Sequence, residues 1–364
     1  MDVATQRVRL WNALFRFLKK SKGGLLEHML LWFVESKRPI KVNRMSDYVM
    51  DSAFNYLNDN KVRLRYRPLR LLVDSGAYTA ARRNLSLDPC RIIEIQERLG
   101  ADIVIPLDYP FMPNMDLFEM RKRLLKTIEN TRLWSEVMSP KIEIMPVVHA
   151  IGKKELLKTV RTLAEICGNS KYMGIGTIID TTSDLRGFLG DRQPRRTLID
   201  SLITSMEVIK EYGFGVHVTG FGSSPLTLHL AIYLGVDSTD SSGYRRKAAY
   251  GKIILPHTGE RYVGSGKAKF GVVKPSPSEI EYLRSRCGCP ICRRDPYLLW
   301  RDWRARALHN EWVIKATRNI GLRLREEGLD IYEHYLDRLF ANSWLGYLWR
   351  YAKTRIKYTN IYRC

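Results

Sequence analysis

From residue 69 to residue 256 short apolar runs alternate with longer stretches of helical period. The runs are LRLLVDSG, ADIVIPLD, IEIMPVVHA, YMGIGT, FGVHVTGFG and LGVDSTDSS. Between them lie helical patterns such as PCRIIEIQERLG, DLFEMRKRLLKTIENTRLWSEVM, KKELLKTVRTLAEIC and RTLIDSLITSMEVIKEYG. Continuous apolar strands separated by helices predict a parallel sheet covered on both faces. At least six such units favour a (β/α)8 TIM barrel over a doubly wound sheet. RPIKVNRM offers an early strand, and GKIILPHTGERYVG a later strand or a hairpin. Residues 8–33 read as two amphipathic helices separated by Gly23-Gly24, packing on a core rather than on a membrane. The predicted organisation is an α/β chain: an N-terminal helical segment over 1–66, a barrel core over 67–283, and a small subdomain with helical C-terminal extensions over 284–364.

Polar residues gather at the C-terminal ends of the predicted strands, where barrels of this class carry their chemistry. Those ends read Asp74-Ser75-Gly76, Asp108-Tyr109-Pro110, His149-Ala150, Gly174-Ile175-Gly176, Gly220-Phe221-Gly222 and Asp237-Ser238-Thr239-Asp240. One aspartate alone could be a helix N-cap. Three strands ending this way point further, to a carboxylate pair flanking a glycosidic bond. In that apparatus one group attacks the anomeric carbon and the other moves the proton. The net charge is +22 and the pI near 9.8. Such a balance favours a polyanionic partner, so the bond could be the N-glycosidic bond of a nucleotide.

CGCPIC, residues 287–292, holds three of the six cysteines. Six cysteines in 364 residues make no disulfide scaffold. The cluster reads as a soft-metal site, for which tetrahedral zinc needs four ligands. Cys287, Cys289 and Cys292 supply three. His309, in the helical stretch WRARALHNEWVIKATRNIGLRL, can supply the fourth. A closed set of four protein ligands leaves no position for water, so this zinc is expected to be structural. No apolar run is long enough to span a bilayer and no signal-peptide layout is present, so a cytoplasmic location is expected.

DSGAY (74–78), GVDSTDSSG (235–243), the C-x-C-x2-C cluster and the helical His309-Asn310 pair together resemble the tRNA-guanine transglycosylase superfamily. The resemblance covers roughly residues 69–312. It implies a zinc-bearing (β/α)8 barrel that exchanges guanine in nucleic acid for a 7-deazaguanine through a covalent enzyme–nucleotide intermediate. Asp240 then matches the nucleophile, and Asp74 the general acid/base. Asp108 matches the carboxylate that reads the N1–H and 2-amino edge of guanine, an edge a carboxylate can accept from twice. His149 stands where the family usually has a glutamine. Gly174 and Gly176 match the backbone under the heterocycle, and Gly220 lies in the segment before the nucleophile strand. Ser75 and Tyr78 complete the expected base site.

SSGYRRKAAYG stands where the family has an arginine-bearing stretch after the nucleophile. The usual N-terminal motifs upstream of Asp74 and a separate C-terminal RNA-binding domain are not recognised in the sequence. The pattern therefore is similar to the DNA 7-deazaguanine transglycosylases of the DpdA type. DNA is the expected polymer, with tRNA as the alternative and a preQ0-like base as the small-molecule partner. Arg245, Arg246 and Lys247 are expected phosphate contacts. Arg350, Lys353, Arg355 and Lys357, interleaved with aromatic residues, are others. The same C-terminal stretch also reads as an amphipathic helix with its aromatics on the core. A homodimer and an ATP-driven helper that opens the strand are further expected partners. Two competing readings are a non-catalytic nucleic-acid-binding barrel and a glycoside hydrolase for free sugars.

Overall fold

The computed structural model describes residues 29–41, 43–112, 115–179, 194–256, 259–265, 272–341, 343 and 345–357. Most of the two expected N-terminal helices, and Trp344, Tyr358 and Tyr362, lie outside these residues. The chain divides into two compact units. One comprises Leu30–Thr219, Val236–Asp240 and Arg350–Cys364, the other Met1–Met29, Gly220–Gly235 and Ser241–Trp349.

The first unit is built on nine strand segments: β1 (Leu30–Val34), β2 (Asn43–Ser52), β3 (Arg67–Asp74), β4 (Ile103–Val104), β5 (Glu143–Ile144), β6 (Val147–Ile151), β7 (Tyr172–Ile179), β8 (Gly215–Val218) and β9 (Ser238–Ser241). Their order in the sheet is β5-β4-β3-β2-β1-β9-β8-β7-β6. The two outermost segments are halves of one strand. Met145 N–H donates to Val104 O on one side at 2.8 Å, and Pro146 O accepts from Gly174 N–H on the other at 2.8 Å. Pro146 has no N–H of its own, which breaks the ladder there. The sheet thus closes on itself as eight parallel strands, a (β/α)8 barrel.

Side chains alternate between two layers along these strands, as a period of two requires. Trp32, Met50, Leu72, Ile103 and Met145 form one cluster, drawn from successive strands. Val49, Leu71, Val73 and Val104 turn the other way, onto Ile92, Ile95 and Trp134. Those three lie on the helices Pro89–Arg98 and Leu117–Val137, whose starts are capped by Asp88 and Asp116. The helices Lys153–Ile166 and Pro194–Glu211 follow where the helical period placed them.

In its described part the segment 1–66 holds two strands and one short 3-10 helix, Ala53–Tyr56, in place of the expected helical segment. Residues 30–34 and 43–52 are β1 and β2, so the barrel begins at Leu30 rather than at residue 67. In the second unit the expected late strand is an antiparallel hairpin, β10 (Lys252–Leu255) and β11 (Gly259–Tyr262). Long helices Trp303–Glu327 and Leu329–Phe340 pack there with Pro225–Leu234, through bonds such as Tyr233 Oη to Glu333 at 2.8 Å. Among the described residues no helix is long and apolar enough to cross a membrane.

Candidate active site and metal centre

Asp74 is the last residue of β3, opposite Ser52 at the end of β2. Gly76 follows at φ +85°, and its N–H donates to Asp74 Oδ2 at 3.0 Å. A Cβ at Gly76 would lie 2.3 Å from that of Phe54, so only glycine fits the turn. Burial pushes the Asp74 carboxyl up to about 7, and the negative charges of Asp108 and Asp240 add to that rise. The Gly76 and Ser52 hydrogen bonds pull the other way. Three carboxylates therefore share one electrostatic environment, and Asp74 is the one whose carboxyl is raised towards neutrality.

Asp108 sits beyond β4, half-buried, and accepts from His149 Nε2 at 2.9 Å. His149 is 1% exposed on β6. Between β6 and β7 the register jumps from Val148↔Ile175 to Ala150↔Ile178, so His149 faces two residues, 176 and 177, across a bulge. A Cβ at Gly176 would come within 2.5 Å of the His149 ring. The missing side chain at Gly176 is thus what admits the imidazole. Gly174 is less constrained, with Val147 Cγ2 at 3.2 Å from the equivalent point.

Asp240, 4% exposed on β9, has a neighbour that the strand pattern did not single out. His217 of β8 is 1% exposed, with Nε2 3.8 Å from Asp240 Oδ1 and, among the described residues, no hydrogen-bond partner on that nitrogen. Its Nδ1 lies 2.9 Å from Ser238 Oγ, which accepts from Trp32 Nε1 at 2.9 Å. With the Trp32 N–H on Ser238 Oγ, the single hydroxyl proton can turn to His217 Nδ1. The remaining imidazole proton then sits on Nε2, towards Asp240. Burial lowers the His217 pKa to about 4, so the ring is neutral near pH 7. The signal in the sequence was one polar residue, His217, inside the apolar run FGVHV.

Cys287, Cys289, Cys292 and His309 meet in the second unit, all buried, with ligand atoms within 4.8 Å of one another. His309 Nδ1 lies 3.3, 3.5 and 3.9 Å from the sulfurs of Cys289, Cys292 and Cys287. His309 Nε2 donates to Ile254 O at 3.0 Å, which leaves Nδ1 bare and aimed at the thiols. Asn310 Oδ1 accepts from Ile254 N–H at 2.7 Å. Two consecutive helix residues therefore grip both backbone groups of one hairpin residue. The donor set and its tautomer fit a soft divalent metal.

The other expected contacts are placed unevenly. Ser75 is buried and accepts weakly from Ala77 N–H at 3.4 Å, while Tyr78 is 61% exposed on the helix Ala77–Arg82. Gly220 adopts φ +79° in the turn after β8. Arg246 is exposed and Arg245 half-buried, but Lys247 is bound to Glu260 at 3.0 Å and to Ser223 O. On the helix Gly346–Lys357, Arg350 is exposed and Lys353 half-buried. Arg355 is bound to Asp200 at 2.7 Å and shares it with the Tyr351 hydroxyl. Trp349 is buried, 4.6 Å from Tyr233 between ring centres. Lys357 ends the helix.

The first unit is a closed parallel barrel with carboxylates at its strand ends, and the second holds a Cys3His cluster whose donors fit a metal. The model of the queuine tRNA-ribosyltransferase family matches residues 65–299, and the chain belongs to that family. Proteins named tRNA-guanine(15) transglycosylase are similar to it. That of Thermococcus onnurineus is 27% identical over 264 residues, covering 70% of this chain and 40% of the relative. That of Pyrococcus abyssi is 28% identical over 251 residues, covering 67% and 38%. That of Saccharolobus solfataricus is 28% identical over 243 residues, covering 66% and 44%. The chain spans about 40% of the length of these relatives.

Proposed function

We propose that this chain is a guanine transglycosylase acting on nucleic acid. The observation that carries the reading is Asp74, half-buried and raised to about 7 beside Asp108 and Asp240. A group poised there can both give and take a proton near neutral pH. In the proposed reaction an Asp240 oxygen attacks C1′ of the target nucleotide and the bond to guanine N9 breaks. Asp74 protonates the departing base. Asp108, held by His149, accepts from the N1–H and 2-amino groups of the base. The incoming 7-deazaguanine loses its N9 proton to Asp74 and displaces Asp240 from C1′. Two displacements retain the configuration at that carbon. Zinc, held by Cys287, Cys289, Cys292 and His309, would serve to fix the hairpin and the helix Trp303–Glu327.

For the polymer, the names of the relatives support tRNA over the DNA expected from the segment after Asp240. A flipped or unpaired nucleotide is required in either case, because the carboxylates lie within the barrel mouth. The test supplies a labelled preQ0-like base with unmodified tRNA or with plasmid DNA, followed by digestion to nucleosides. Label in ribonucleosides supports the tRNA reading, and label in deoxynucleosides alone overturns it. Asp240→Asn should abolish both exchange and any covalent adduct. An adduct formed by that variant would overturn the assignment of the nucleophile.

A further inference from the structure

A cavity of about 370 Å³ opens in the second unit beside the β10–β11 hairpin. Its volume is that of a small-ligand site. Arg306, in its wall, is 8% exposed. Its Nε donates to Ala248 O at 2.9 Å and its Nη1 to Leu299 O at 3.0 Å. Both partners are neutral carbonyls, and among the described residues no carboxylate forms an ion pair with Arg306. The charge of Asp302 acts on Arg306 only through space, without an ion-pair contact, and an anion in the cavity would offset more of the cost of burying the guanidinium. Burial lowers the Arg306 pKa, and the nearby Asp302 charge opposes that shift only in part. Arg301, also in the wall, is exposed and likewise has no ion pair among the described residues. Lys252 is paired with Glu260 at 3.0 Å, but the same carboxylate also serves Lys247 at 3.0 Å. That arrangement still leaves one positive charge in excess.

The remaining wall is aromatic. Tyr250 is 68% exposed at the rim, with Trp300 half-buried and Tyr262 behind it. Gly251 holds φ +73°, and a Cβ there would lie 2.9 Å from the Tyr262 ring. The turn therefore stays low against that ring. Guanidinium groups beside open ring faces match a phosphate ester that carries a flat base.

We propose that this cavity is a second nucleic-acid contact, binding one nucleotide of the strand with its phosphate on Arg301 and Arg306 and its base on Tyr250 or Trp300. A free mononucleotide offers the same chemistry, so the experiment separates the two sources. The full chain, zinc-loaded and carrying Asp240→Asn so that no turnover occurs, is titrated calorimetrically with 5′-AMP, adenosine and a single-stranded oligonucleotide. Saturable binding of 5′-AMP is expected, with adenosine at least tenfold weaker. Arg301→Ala and Tyr250→Ala, both at exposed positions, should each weaken 5′-AMP about fivefold or more while leaving the melting temperature unchanged. The oligonucleotide should displace 5′-AMP, and Arg301→Ala should reduce the salt slope of oligonucleotide binding by about one. No 5′-AMP binding, or binding unchanged in both variants, overturns the site. Binding of 5′-AMP that the oligonucleotide does not displace overturns the strand contact. None of these readouts depends on base exchange, so they stand or fall apart from the transglycosylase reading.

Discussion

His217 Nε2 stands 3.8 Å from Asp240 Oδ1, both side chains buried, with no hydrogen-bond partner for that nitrogen among the described residues. The gap is too long for a hydrogen bond but short enough for a small closure to make one. Trp32, Ser238 and His217 form a relay that fixes the ring and its tautomer. A donor aimed at a buried carboxylate restrains its orientation. His217 thus reads as a positioning residue for the proposed nucleophile. His217→Phe should lower kcat by roughly 10²-fold, the scale of one lost preorganised donor. KM for the incoming base should change little. His217→Gln keeps an N–H near the carboxylate and should recover part of the loss. Steady-state base exchange at several pH values checks this. An unchanged kcat in His217→Phe would remove the role.

Asp74 sets a pH dependence whose sign is opposite to that of an ordinary salt-bridged aspartate. Its folded pKa, about 7, lies above the ordinary aspartate value of 3.8. Between those values the folded state holds more protons than the unfolded chain, so stability falls as pH rises. The contribution is complete below about 3.8 and gone above about 7. Asp74→Asn should therefore melt higher than wild type at pH 8, with the difference vanishing near pH 4. The same variant should slow base exchange by roughly 10²–10⁴-fold, the range for a lost general acid. Thermal melts at the two pH values check the first part. A variant less stable at pH 8 than wild type would show that the carboxylate is held charged.

Asp74 and Asp108 were legible in the sequence because each closes an apolar run, and Asp240 because it sits three residues beyond the run that ends in Asp237. The first strand was not. LLWFV is a continuous apolar run next to residues of helical period, and such a run fits a buried strand or a buried helix equally well. The barrel itself was legible, because IEIMPVVHA reads as one apolar run even though Pro146 divides that strand into two short segments. Lys247 and Arg355 looked like free cations because a sequence does not reveal their distant partners, Glu260 and Asp200. His217 was overlooked for a related reason. Nothing in FGVHV indicates that its neighbour across the ladder is Ser238, two residues before Asp240.

The metal centre makes a prediction about folding rather than chemistry. His309 and Asn310 hold Ile254 from one side, and the thiols hold His309 from the other. Removing the metal leaves three buried thiols and an imidazole without their common partner. Structural zinc contributes on the order of 10 kcal/mol in small domains. One equivalent of zinc should co-purify, and Cys289→Ala should lose it together with the cooperative melt of the second unit. Asn310→Ala should keep the zinc yet lower the melting temperature, because the Ile254 N–H loses its acceptor. Metal analysis with calorimetry checks both. A metal-free protein with a normal melt would refute the structural role.

The last prediction concerns the fit of Gly176 to His149. A Cβ at position 176 would sit 2.3 Å from His149 Cε1, closer than any real contact. Gly176→Ala must therefore displace the imidazole, which in turn breaks its 2.9 Å bond to Asp108. The variant should behave like His149→Ala: weaker binding of guanine and of the incoming base, with the covalent step on Asp240 less affected. The two substitutions should not add. If each acts by freeing Asp108 from His149, the double variant should bind the base about as weakly as either single one, leaving an interaction energy of roughly 1–3 kcal/mol in the cycle. Calorimetric titration of guanine against the four proteins measures it. Strict additivity would mean that Gly176 serves the base directly and that its closeness to His149 is incidental.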